Sequence, residues 1–306
     1  MAGIFEEVEV ATRFSLAYLT VQGCAPPEMT HIAADAGYDF VSFRPIYMGL
    51  PNEPNYAFAE DKALFRETKR ALAETGLALS DIELAKIQDG LDPKSYLPAF
   101  EAAAELGCAH VISSIWTQDR AFAIDCFGQL CDFGRPLGLS IELEFVTFAE
   151  VKTIAAALEI VNAAGRDNCG ILVDTLHFQR SRVAPEELDA VPQRLFHIAH
   201  LCDAPAEIPL TKEGLIHTAR DERLYVGEGG IDIAGILGRI PEVTYSIELP
   251  HVARVKEYGN AEHARLCLKT AKAYLADRAA PALTGAPRDT GGLAMGPGDG
   301  AKRGKS

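Results

Sequence analysis

Residues 139–174 read LSIELEFVTFAEVKTIAAALEIVNAAGRDNCGILVD. The stretch opens and closes on short apolar runs, Leu139–Phe145 and Gly170–Asp174, each as long as a buried parallel strand. Between them Val151, Ile154, Ala155, Leu158 and Val161 recur at helical spacing, and Gly165 stands where a helix would end. A strand, a helix and a second strand in this order form the repeating unit of an α/β fold.

The same alternation continues in both directions. Upstream lie the apolar runs Phe14–Thr20, Phe40–Arg44, Leu77–Leu84 and Ala109–Trp116; downstream lie Leu195–Leu201 and Thr244–Leu249. Helical patterns are predicted at 27–36, 59–75, 94–106, 119–133, 185–192 and 231–239. A last stripe, Ala264, Cys267, Leu268, Ala271, Tyr274 and Leu275, follows Asn260 as its N-cap. Eight strand-then-helix units predict a single (β/α)8 TIM barrel over residues 1–279. A doubly wound open sheet is the alternative, but it usually has fewer units, and no GxGxxG follows the first run. Residues 280–306 are rich in Gly and Pro and aperiodic, which predicts a disordered tail.

Composition narrows the function classes. The chain has 306 residues, 48% hydrophobic and 24% charged, enough to bury a full core without staples. Its net charge of −14 argues against a nucleic-acid partner, which needs a basic footprint. No run approaches the roughly 18 apolar residues of a membrane span, and the N-terminus MAGIFEEVEVATR lacks the apolar core of a signal peptide. Seven cysteines without a CxxC pair fit reduced thiols, so a cytoplasmic location is expected.

In a TIM barrel, chemistry sits where strands end at the C-terminal face. The fifth run ends at Glu144, the sixth at Asp174, the seventh carries His200, and the eighth ends at Glu248. Each alone has a structural alternative: a capped loop, a salt bridge, a satisfied core histidine. Together they are four donors from four consecutive strands. Three carboxylates in an apolar mouth would repel one another and lose hydration, and one divalent cation removes that cost. Three oxygens and one imidazole suit Mn2+ first, with Mg2+, Co2+ or Zn2+ as alternatives.

The segments IELEF (141–145), LVDTLHF (172–178), AHLCDAP (199–205) and SIELP (246–250) resemble the xylose isomerase-like TIM-barrel superfamily over about residues 12–276. That group includes sugar isomerases and epimerases, inosose and dehydroshikimate dehydratases, and abasic-site nucleases. The resemblance implies that Glu144, Asp174, His200 and Glu248 bind the metal, and that Glu144 and Glu248 also act as acid and base. It implies substrate contacts from His177 and Arg223, with Arg220 three residues away as the competing arginine. The reaction expected is proton abstraction beside a carbonyl, giving an enediolate stabilised by the cation. Return of the proton isomerises or epimerises a small polyhydroxy substrate; loss of a β-hydroxyl makes the enzyme a dehydratase instead. A nuclease needs more histidines and a basic face, and an inactive subunit would have no use for the full ligand set.

Several residues carry two readings. Trp116 and Tyr47, with Met48, Tyr56 and Phe58, would form either a substrate wall or a local mini-core under the long Pro45–Phe58 connector. Glu142 is expected to form an internal ion pair with Arg44 or Lys86, since a buried charge needs a partner. Glu83 is an open candidate for the mouth, His197 is expected to face the helices, and His110 is read as structural. Homo-oligomers recur on this fold, so self-association is open by analogy.

Overall fold

The computed structural model describes residues 12–49 and 53–279, with side chains to residue 277. The proposed tail at 280–306 lies outside the described residues. Eight parallel strands close into a barrel in sequence order: β1 (Phe14–Leu16), β2 (Phe40–Phe43), β3 (Ala78–Ile87), β4 (His110–Ile115), β5 (Ser140–Glu144), β6 (Cys169–Asp174), β7 (Ile198–Leu201) and β8 (Thr244–Ile247). The helices are α1 (Pro26–Ala36), α2 (Lys62–Thr75), α3 (Leu97–Glu105), α4 (Arg120–Gly134), α5 (Ile154–Ala164), α6 (Thr175–Arg180), α7 (Lys212–Asp221), α8 (Ile233–Leu237), α9 (Val252–Tyr258) and α10 (Asn260–Ala279). No described helix is long and apolar enough to cross a membrane.

The strand pattern decides which way the barrel faces. In β5, Ile141 and Leu143 are fully buried in the main apolar core, while Glu142 and Glu144 take the alternate face. The same alternation sends Ile171 and Val173 of β6 to that core and Leu172 and Asp174 the other way. The barrel axis is therefore unusually polar. It holds a small separate apolar cluster, Leu84, Ile112, Leu172 and Ile198, and a hydrogen-bonded group of Ser15, Ser42 and Asp81.

Several boundaries differ from the sequence pattern, each for a local reason. The first apolar run stops being a strand at Leu16. A 3-10 turn over Tyr18–Val21 follows, tied down by Thr20 Oγ1 donating to Ile247 O at 2.7 Å. The helix expected at 185–192 is a 3-10 turn over Pro185–Ala190. Helix α6 was hidden because Asp174 ends a strand and caps a helix at once. Gly165 behaves as expected, taking the left-handed conformation (φ 63°) that terminates α5.

Candidate metal centre

The donors come together through strand stagger. Glu144 is level with Leu172, Asp174 with His200, and His200 with Ser246, so the register shifts between strands as barrel shear requires. Glu144, Asp174, His200 and Glu248 each offer a ligand atom, all within 4.8 Å of one another, and all four residues are buried. His200 Nδ1 is 3.4 Å from Glu248 Oε2, 3.5 Å from Glu144 Oε1 and 3.8 Å from Asp174 Oδ2. Donor–metal bonds near 2.0–2.2 Å set ligand atoms about 3 to 4 Å apart, which is this spacing.

The polar atoms fit an ion. Neither ring nitrogen of His200 makes a hydrogen bond of good geometry, and Glu144 Oε1 is buried without a partner. Burial alone would discharge His200, but Glu248 and Glu144 outweigh it and hold the ring protonated well above its usual range. Burial likewise opposes the charge on Glu248, and His200 and Arg223 overcome it and push that carboxyl below the carboxylate range. A divalent cation fits where that proton now balances the carboxylates. With Arg223 present, three carboxylates leave two negative charges, which one such cation neutralises.

Arg223 lies against the ligands. Its Nη1 contacts Asp174 Oδ2 at 2.6 Å, its Nη2 contacts Glu248 Oε2 at 2.8 Å, and it is only 2% exposed. It also donates to Glu248 O at 3.0 Å and Ala219 O at 2.8 Å. Its guanidinium thus orients two donors and still lines the cavity, as does Arg220, half-buried over the Phe148 ring at 5.9 Å. The other oxygen of Asp174 accepts from the Leu176 and His177 amides at the start of α6, so this carboxylate is fixed on both sides. Asp203 does not join the donors. It accepts from the amides of Gly227, Gly229 and Ile231 and so shapes the loop behind Arg223. A Cβ at Gly229 would overlap Asp203 Oδ1 and Ala204 O, so glycine is required there.

The mouth opens into a cavity lined by Glu83, Trp116, Glu144, Phe148, His177, Arg220 and Glu248 among others. Trp116 is a wall residue, anchored by Nε1 donating to Ser114 Oγ at 2.8 Å and carrying Lys86 Nζ 4.4 Å above its ring. Tyr47 is 50% exposed and is not part of the lining, although Met48 is. His177 packs against the Phe148 edge and lies 3.2 Å from Thr147 Oγ1. Burial pushes its pKa down against Asp174 and Glu144, leaving the imidazole neutral.

Two expectations need correction. Glu142 does not pair with Arg44 or Lys86; its Oε1 meets His110 and His197 instead. His197 does not face the helices, because it lies just before β7 begins and turns toward the axis. Arg44 pairs with Glu83 at 3.3 Å, which brings Glu83 to the cavity. Glu83 lies two residues beyond the axial Asp81 on β3, so strand alternation turns it the same way, and the candidate left open in the sequence reaches the cavity. Arg44 and Phe148 were missed as lining residues, although Arg44 meets the strand-end criterion used for Glu144.

Comparison with known proteins agrees with this architecture. The family model described as Xylose isomerase-like TIM barrel matches residues 31–271. An inosose isomerase of Bacillus velezensis is 26% identical over 225 residues, 69% of this chain and 76% of that protein. A 3-dehydroshikimate dehydratase of Pseudomonas aeruginosa is 24% identical over 241 residues, covering 74% of this chain but 35% of that protein. The crystal structure of the IOLI protein with a bound zinc atom superposes with TM-score 0.71 at 20% identity, over 87% of this chain and 98% of that one.

Proposed function

We propose, from the premise that this chain belongs to the xylose isomerase-like TIM-barrel family, that it is a divalent-cation-dependent isomerase or epimerase of a small polyhydroxy carbonyl compound. The convergence of Glu144, Asp174, His200 and Glu248 within 4.8 Å carries the reading. These four would hold the cation, which supplies Lewis acidity and a template for a carbonyl and its neighbouring hydroxyl. Glu144 at the end of β5 and Glu248 just after β8 approach the cavity from different walls. One takes the proton beside the carbonyl and the other returns it from the far side. Neutral His177 is set to donate an N–H to a substrate oxygen, and Trp116 with Phe148 excludes water from one flank.

A dehydratase is the second reading. Arg220 at the lining and Lys86 over Trp116 add positive charge, which favours a substrate that also carries a carboxylate. In that case the abstracted proton is followed by loss of a β-hydroxyl as water. The metal-loaded protein should be incubated in D2O with inososes, ketoses and 3-dehydroshikimate. Deuterium uptake without loss of water supports the isomerase. A rising absorbance from a new conjugated double bond supports the dehydratase. Neither change with any substrate, in protein carrying stoichiometric metal, would remove both.

A further inference from the structure

The opposite end of the barrel carries a second cluster that the mouth chemistry does not use. His110 opens β4, His197 immediately precedes β7, and Glu142 reaches between them from β5. Both imidazoles direct Nδ1 at the same carboxylate oxygen: His110 at 2.9 Å and His197 at 2.8 Å from Glu142 Oε1. The rings lie nearly face to face, with centroids 5.7 Å apart. Glu142 is fully buried, yet its Oε2 has no partner at all. A buried carboxylate held only by hydrogen bonds would be expected to share its donors between both oxygens.

That bare oxygen lies against a glycine. Gly170, level with Glu142 on β6, has an ordinary strand backbone, so conformation does not demand glycine. A Cβ there would overlap Glu142 Oε2 and come within 2.7 Å of Leu195 O and 2.8 Å of His197 Nδ1. The two histidines are partly exposed, 22% and 30% at the side chain, so the cluster has a route to solvent.

We propose that this floor is a second metal site, in which His110 Nδ1, His197 Nδ1 and Glu142 hold one zinc-type cation with solvent as the remaining ligand. Two imidazoles and one carboxylate are a common zinc donor set. The three donors lie within 4.8 Å of one another. Tetrahedral bonds near 2.0–2.1 Å need donors about 3.3 Å apart, so the side chains open by roughly half an ångström. The floor is richer in nitrogen than the mouth and so favours a softer cation. The proposal stands apart from the reading of the mouth.

The test uses the full-length protein, stripped with chelator and titrated with Zn2+ alone, with bound metal counted after gel filtration. Two equivalents are expected for the wild type, and one fewer for His197→Gln whose circular dichroism matches the parent. Co2+ titration of the wild type adds a readout that needs no variant: filling the floor should bring the intense visible bands of a four-coordinate ion. If the mouth alone fails, the wild type binds one equivalent and His197→Gln none. Wild-type protein that binds one equivalent, unchanged in folded His197→Gln, overturns the proposal and leaves a hydrogen-bonded triad.

Discussion

The barrel carries a charged cluster at each end, and the two are built to opposite rules. At the mouth, three carboxylates surround one imidazole, and Arg223 braces them from behind. At the floor, two imidazoles share one carboxylate that no arginine or lysine contacts. The mouth opens on a cavity wide enough for a small ligand; the floor is tight enough that Gly170 cannot carry a methyl group. Excess acid beside a cavity suits chemistry on a substrate, whereas a carboxylate shared by two imidazoles from other segments suits a site that ties those segments together.

That contrast can be broken most forcefully at Glu248. If Glu248 is the proposed ligand and proton carrier, Glu248→Gln should lower kcat by about 10^3 or more, measured at saturating cation. A loss under tenfold would take the acid–base role away from this residue. At the floor, Glu142→Gln should act on stability. It deprives two histidines of their shared charge and should cost about 3 kcal/mol in urea denaturation. A cost below about 0.5 kcal/mol, the scatter of an ordinary surface substitution, would mean the cluster carries no structural weight.

Glu83 sharpens the comparison through pH. Burial raises its pKa to about 7 despite Arg44, above its ordinary 4.5. A carboxyl raised in the folded state contributes stability that is complete below pH 4.5 and lost as pH climbs through about 7. In chelated protein, Glu83→Gln should flatten the stability curve over that window by about 3 kcal/mol. An unchanged slope would assign the titration to another group. The smallest effect is expected at Trp116. Its replacement by Ala removes one wall and should raise KM several-fold while kcat changes less; equal losses in both would make it part of the chemistry.

Much of the mouth was legible because strand ends are where sequence and position coincide. Glu144, Asp174 and Glu248 each close an apolar run, and His200 sits at a fixed offset in FHIAHL. The floor was less legible. Glu142 was visible as a buried charge, but its partners come from His110 at a strand start and His197 outside any strand. Nothing in a period-two count brings those three together. Arg223 was visible as a residue type but not in its work. A connector of 28 residues, 203–230, with α7 inside it, delivers it, and the amides gathered on Asp203 shape its path.

Arg223 has a bearing on how the protein survives between metal ions. Its two contacts, to Asp174 and Glu248, keep those donors aimed without any cation between them. Chelation should therefore leave near-ultraviolet circular dichroism unaltered, and reloading with a different ion should need no refolding step. Arg223→Leu should lose that property, converting reversible exchange of the ion into unfolding on its removal.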